Sequence, residues 1–190
     1  MIRLFIALKI ESEIQDKFNT IVTDFRNKDG NVKWVDAKNL HLTLKFLGNT
    51  DYNLVDTISS QLEKKVQSFQ AIESEFTSLG GFPNLSKPKV IWADIEKNKD
   101  EIITLAESIN SSLAEVGFGL DNKLFTPHLT LGRVKSYDNI TALTDYLKDY
   151  QFEKTPITFC TVQLIQSKLT QTGPVYKTLT EITLSERFGG

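Results

Sequence analysis

The chain contains two histidines, His41 and His128, and each opens the same tetrapeptide, His-Leu-Thr-Leu. Leu and Thr each make up about a tenth of the residues, so a coincidental second copy has odds of roughly one in a thousand. The copies lie 87 residues apart in a chain of 190. A duplication on this scale constrains the fold more than any other feature. Two similar units of about 90 residues, each too small to cover the inner face of its own sheet, must pack on one another.

The coarse pattern repeats at the same offset. Ile2, Leu4, Ile6 and Leu8 alternate with Arg3, Phe5, Ala7 and Lys9, the period of a half-buried strand, and residues 89–96 repeat it in Val90-Ile91-Trp92-Ala93-Asp94-Ile95. Ile14, Phe18, Ile21, Val22 and Phe25 follow helical spacing from Ser12, with Ser12 and Gln15 placed for a capping box. The matching helix over 99–116 carries Ile102, Leu105, Ala106, Ile109, Leu113 and Val116. A helix over 52–69 corresponds to a shorter one over 138–150. Each half closes with a strand, over 70–79 and 157–167, and one more strand is expected over 175–184. The stretch from Gly80 to Pro88 reads as a turn-rich crossover between two lobes, 1–80 and 88–184, of a single domain spanning 1–190. Alternation of strands and helices, taken by itself, points to a parallel α/β sheet.

Composition excludes several classes. With 22 basic and 24 acidic residues, 40% apolar residues, 10 Gly and 5 Pro, the chain is an ordinary folded protein and not a disordered, collagenous or low-complexity one. No apolar run approaches the roughly 18 residues of a membrane span. The N-terminal stretch Met1–Lys9 is too short for a secretory leader and lacks a small-residue cleavage site, so a cytoplasmic protein with no membrane partner is expected. The single cysteine, Cys160, lies in an apolar-rich stretch and reads as a buried thiol in a reducing compartment. A net charge of -2 argues against a nonspecific nucleic-acid coat.

In a strand, residues i and i+2 share a face, so His41 and Thr43 point one way while Leu40, Leu42, Leu44 and Phe46 pack on the other. His128 and Thr130 stand opposite Leu129 and Leu131 in the same manner. Across a pseudo-twofold axis the two strands would bring two imidazoles and two hydroxyls to one cleft. In-line cleavage of a phosphodiester needs a base for the nucleophile and an acid for the leaving oxygen, and imidazole serves as either near neutral pH. The hydroxyls would hold the non-bridging oxygens. A zinc site would need further ligands that Cys160 cannot complete, and no glycine-rich loop ending in Lys-Ser or Lys-Thr is present.

These motifs resemble those of the 2H phosphoesterases, whose signature is two His-x-Thr-x motifs, and within them the RNA 2',3'-cyclic phosphodiesterases of the LigT-type 2'-5' RNA ligase family. The likeness covers nearly the whole chain. It runs through Arg3-Leu4-Phe5-Ile6-Ala7-Leu8, Val32-Lys33-Trp34-Val35, Asn39-Leu40-His41-Leu42-Thr43-Leu44-Lys45-Phe46-Leu47-Gly48, Gly81-Phe82-Pro83 with Pro88, and Phe125-Thr126-Pro127-His128-Leu129-Thr130-Leu131-Gly132-Arg133. The resemblance implies a bilobal, duplicated α+β fold with two mixed, largely antiparallel sheets facing a central cleft and helices outside. It implies opening of RNA 2',3'-cyclic phosphate ends to 2'-phosphates without a cofactor, and joining or splitting of 2',5' linkages. By motif position, His41 would be the proton donor, His128 the proton acceptor, and Thr43, Thr130 and Arg133 would bind the substrate phosphate, with no metal. A monomer acting on an RNA or oligonucleotide with a cyclic phosphate end is expected.

Strict alternation puts Arg133 on the wrong face, with Leu129 and Leu131, and a bulge or kink at Gly132 would re-aim it. Other residues read two ways. Phe5, Trp92, Trp34 and Tyr176 would stack on a base or pack in the core, with packing favoured for Phe5 and Trp92. Lys45, on the face of His41, would attract the RNA backbone or lie at a solvated edge. The motifs specify phosphate chemistry and not the base. A 2',5'-oligoadenylate or another small cyclic nucleotide phosphate therefore stands as an alternative substrate, and a catalytically silent nucleotide-binding module as a third reading. The segment after Leu184 is expected to be a tail.

Overall fold

Alternation fixes which residues of a strand face inward, and burial in the computed structural model, which describes residues 1–121, 124–171 and 173–186, follows it in the strands Val90–Ile95 and Thr155–Phe159. Among those residues the chain forms β1 (Ile2–Lys9), α1 (Ser12–Arg26), β2 (Val32–Trp34), β3 (His41–Thr50), α2 (Val55–Val66), β4 (Ile72–Phe82), β5 (Val90–Ile95), α3 (Lys99–Ala114), β6 (His128–Val134), α4 (Thr141–Asp149), β7 (Thr155–Phe159), β8 (Thr161–Leu169) and β9 (Pro174–Thr183). Two sheets result, ordered β3-β1-β8-β9 and β2-β6-β5-β4-β7, and the pairings within them are antiparallel. The fold is therefore α+β with two antiparallel sheets. The parallel sheet that alternation alone suggests does not form, because β1 with β3 and β5 with β6, the pairs separated by the first helix of each half, are antiparallel.

Neither sheet is built from one half of the chain. β4 leaves the first half to pair with β5, and β8 and β9 leave the second half to complete the sheet around β1. The stretch from Gly80 to Pro88 is accordingly no crossover between lobes. Gly80, Gly81 and Phe82 are still strand, paired with Trp92, Ile91 and Val90, and the rest closes the β4–β5 hairpin. Helices exchange in the same way. α1 follows β1 yet packs on the other sheet, with Phe18 edge-on to Phe76 of β4 at 5.0 Å and Phe25 5.9 Å from Trp34 of β2. α3 follows β5 yet contacts β3. Phe18, Ile21, Val22 and Phe25 are all buried, each worth about 1.5–3 kcal/mol of apolar burial. This exchange welds the halves into one core.

β1 is buried on both faces from Leu4 to Leu8, beyond the half-buried strand expected of it. Leu4, Ile6 and Leu8 enter the main core, while Phe5 and Ala7 join Ile165 in a small second cluster against Tyr176. That second cluster floors a cleft between the sheets.

Local expectations are corrected at several points. The strand expected over 157–167 is two strands meeting at Cys160, and alternation from buried Phe159 aims the Cys160 thiol outward, so it is exposed and not buried. Ser12 is the first residue of α1 and makes no capping box; the Gln15 N–H instead donates to the Glu11 carbonyl. Ser185 is tied down: its N–H donates to the Phe69 carbonyl at 3.0 Å and its own carbonyl accepts from Ala71 N–H at 2.8 Å. The remaining tail residues, 187–190, lie outside the described residues. No helix among the described residues is long and apolar enough to cross a membrane.

Candidate active site

The two motif strands meet where the sheets face each other, with β3 and β6 approaching within 8 Å between Cα atoms. His41 and Thr43 are half-buried on the cleft face, and Leu40, Leu42 and Leu44 are buried behind them. His128 and Thr130 repeat the arrangement over Leu129 and Leu131.

Each strand then breaks its alternation at the same place. Along β3 the partners step from Thr43 with Ala7 to Lys45 with Ile6, leaving Leu44 as an extra residue. Along β6 they step from Thr130 with Trp92 to Gly132 with Ile91, leaving Leu131 extra. A bulge inserts one residue and so reverses the facing of everything beyond it. Arg133 consequently lines the cleft with His128 and Thr130, by the device expected at Gly132. Phe46, its counterpart 87 residues earlier, also turns into the cleft and is 61% exposed, where strict alternation puts it in the core. Lys45 turns the other way and is buried.

Both imidazoles are held by one device. His41 Nδ1 lies 2.7 Å from the Asn39 carbonyl and His128 Nδ1 lies 2.8 Å from the Thr126 carbonyl, in each case two residues upstream. A carbonyl only accepts, so Nδ1 carries the proton in both rings and Nε2 is left free for chemistry. The His41 ring rests on Phe5 at 4.7 Å and edge-on to Tyr176 at 5.3 Å. His128 lies edge-on to Phe82 at 5.7 Å and to Trp92 at 6.3 Å. Burial lowers the pKa of His41; the hydrogen bond to Asn39 opposes this, and the Arg133 charge lowers it further. Burial raises the Tyr176 pKa against the charges of Arg133 and Arg3. The Arg133 guanidinium therefore acts across the cleft on the opposite motif.

The cleft encloses about 1280 Å³, and both histidines, both threonines, Arg3 and Arg133 line it. Neither arginine forms an ion pair among the described residues, so two cations remain available to an anionic ligand. No group of three or more His, Cys, Asp or Glu among the described residues is arranged to hold a metal ion.

Residues 12–170 match the profile of the 2'-5' RNA ligase superfamily. The chain belongs to that superfamily. It is 31% identical over 179 residues to an RNA 2',3'-cyclic phosphodiesterase of Thermotoga maritima, covering 94% of each chain. It is 35% identical over 178 residues to one of Archaeoglobus fulgidus, covering 93% of this chain and 97% of that one. Among solved structures, a protein of Thermus thermophilus superposes with a TM-score of 0.78 at 24% identity, over 98% of this chain and 100% of that one. Escherichia coli LigT superposes at 0.76 with 22% identity, over 97% and 99%. These likenesses establish the superfamily's fold here.

Within this 2'-5' RNA ligase superfamily fold, His41, Thr43, His128, Thr130 and Arg133 come together at one cleft. The side residues divide. Phe5 is buried under His41, Trp92 stacks on Phe82 at 5.1 Å, and Trp34 packs in the core behind β6. Of the four aromatics weighed for stacking, only Tyr176 and the edge of Phe5 line the cleft. Phe5 and Trp92 are not strict counterparts: Thr43 pairs with Ala7 and Thr130 with Trp92, a slip of two residues that preserves facing. Lys45 does not sit at a solvated edge: it is buried, and it contributes to the cleft lining from beneath. Arg3, Phe46 and Phe82 also line the cleft, beyond the residues that the motifs single out. Arg3 is legible from its alternation with Phe5 and Ala7, whereas Phe46 requires knowledge of the bulge.

Proposed function

We propose that this protein hydrolyses the 2',3'-cyclic phosphate at the end of an RNA to a 2'-phosphate, with His41 and His128 as the acid and base. The relatives named RNA 2',3'-cyclic phosphodiesterase support the substrate and reaction. The observation that carries the mechanism is the duplicated Nδ1-to-carbonyl bond, which leaves a free Nε2 in each motif at one cleft. His128 Nε2 takes a proton from water as the water oxygen attacks phosphorus. The phosphorus–O3' bond breaks on the opposite side and O3' leaves with a proton from His41 Nε2. The product is a 2'-phosphate with a free 3'-hydroxyl, and the protons balance through solvent.

Thr43 and Thr130 donate hydrogen bonds to non-bridging oxygens, and Arg133 neutralises the charge that builds there. Burial disfavours the charged form of His41 in the cleft. A bound phosphate anion reverses that bias, so His41 acquires its proton when the substrate needs an acid. Both motifs come from one chain, so a monomer suffices.

The test incubates purified protein in EDTA with a short RNA ending in a 2',3'-cyclic phosphate and identifies the terminus formed. A 2'-phosphate product that disappears in both His41→Ala and His128→Ala supports the reading. A product that persists in either variant overturns the two-histidine mechanism, and no product from a folded wild type overturns the substrate assignment. Adding an acceptor strand with a free 5'-hydroxyl to the same reaction tests 2',5' joining, in which that hydroxyl replaces water as the nucleophile and O3' again leaves.

A further inference from the structure

Lys45 is a buried cation that the phosphate chemistry does not use. Its side chain is 2% exposed, and its Nζ donates to Asn110 Oδ1 at 2.6 Å, to the Gly119 carbonyl at 3.0 Å and to Asp121 Oδ2 at 3.0 Å. Asn110 Oδ1 also accepts from the Asp121 backbone N–H at 3.2 Å. A desolvated ammonium with all three protons placed on acceptors is a built tether.

The duplication shows what is tethered. Residues 119–121 precede His128 by the same interval at which Val32, Lys33 and Trp34 of β2 precede His41. In the second motif, β2 pairs with the outer edge of β6, and Trp34 stands opposite Gly132. The counterpart of Gly132 is Lys45 and the counterpart of Trp34 is Asp121, and these two form the ion pair. The same two positions thus meet in both halves, by strand pairing in one and by a side-chain tether in the other. A lysine is excluded at 132, where even a Cβ would stand 2.7 Å from Trp34. Among the described residues β3 has no strand on its outer edge, and the lysine is accommodated there.

We propose that Lys45 is a positioning residue that replaces a missing edge strand, holding Gly119–Asp121 against β3 so that Leu120 and Asp121 form a fixed wall of the RNA-binding cleft. Leu120 is 58% exposed although apolar, and it and Asp121 both line the cleft. The role concerns how substrate is held and rests on the functional reading above.

Lys45→Met cuts the tether, and Asn110→Ala weakens it without altering charge by removing the acceptor shared by Lys45 Nζ and the Asp121 N–H. Both should raise KM for a cyclic-phosphate RNA roughly 5-fold or more, while kcat falls by no more than about 3-fold. The salt dependence of KM should match that of the wild type, since no phosphate contact is removed. Amide exchange at Gly119–Asp121 should quicken in both variants with no substrate present, and it reads the tether even if the substrate assignment fails. Unchanged KM and exchange in the folded variants would overturn the proposal. So would a reduced salt slope in Lys45→Met with Asn110→Ala silent, which would make Lys45 a phosphate contact. If Lys45→Met does not fold, Asn110→Ala decides.

Discussion

Replacing Gly132 with alanine probes the packing that lets Arg133 turn into the cleft. A Cβ at 132 would stand 2.7 Å from Trp34 Cε3, 2.8 Å from Val32 Cγ1 and 3.1 Å from Trp34 Cζ3. Carbon atoms rest about 3.5–4.0 Å apart, so both neighbours must retreat by close to an ångström. Both lie on β2, a three-residue edge strand that can yield. Trp34 cannot yield freely, because its ring packs 5.9 Å from Phe25 in the core. Overpacking of this kind costs about 1–3 kcal/mol. At about 2–4 °C per kcal/mol for a chain of this size, Tm should fall by roughly 2–12 °C. The added methyl faces the core, away from Arg133, so kcat/KM on a cyclic-phosphate RNA should stay within about 10-fold of wild type. Thermal unfolding and steady-state kinetics on the same preparation measure both quantities. Unaltered stability would show that β2 gives way without cost. A large loss of activity at full stability would show that Gly132 serves the bulge geometry and not the packing behind it.

His41→Ala and His128→Ala should each lower turnover by about 100- to 10,000-fold with melting still cooperative, as loss of an acid or base requires; near-wild-type turnover in either refutes its role. Thr43→Ala and Thr130→Ala should each cost about 1–3 kcal/mol in transition-state binding, read from kcat/KM, if each removes one hydrogen bond to a charged oxygen. Burial depresses the His41 pKa in the folded state. Protons therefore bind the unfolded chain more readily, and stability is lost as pH falls from about 6.5 toward the lowered folded value. His41→Gln should lessen the drop in Tm between about pH 7.5 and pH 5, a range that brackets the unfolded imidazole at about 6.5, and an identical drop in both proteins would contradict that linkage. In kinetics, the alkaline limb set by deprotonation of His41 should lie at higher pH in kcat than in kcat/KM, because the bound phosphate anion favours the imidazolium.

Much of this was legible in order of locality. The helical stripe from Ile14 to Phe25 depends on residues within a few positions of one another and stands as expected, while β1 is a strand as expected but is buried on both faces. The motif faces at His41 with Thr43 and His128 with Thr130 follow from a two-residue period and also stand. Errors begin just beyond each motif threonine. Phe46 and Lys45 exchange their expected sides because Leu44 is an extra residue against β1, which a strand's own sequence does not announce. Arg133 is the exception: the role that the family resemblance implies for it conflicts with alternation, and that conflict itself points to the bulge. Cys160 departs from expectation for a different reason, since an apolar neighbourhood in sequence became the outward side of a strand end.

The sequence by itself determined the symmetry and the residue types it brings to the cleft. Two His-Leu-Thr-Leu copies 87 residues apart specify paired imidazoles and hydroxyls, and each brings its own upstream carbonyl, Asn39 or Thr126, to set the tautomer. Only the tertiary structure decided that β4 and β8 trade sheets, that Lys45 is buried against Asn110, Gly119 and Asp121, and that the Arg133 charge acts on the opposite histidine. The physical reason is one of range. Periodicity and capping are written in neighbours along the chain. Strand partners, bulge positions and the burial of a charge depend on what arrives from far away, and a slip of one residue in that pairing reverses every side chain beyond it.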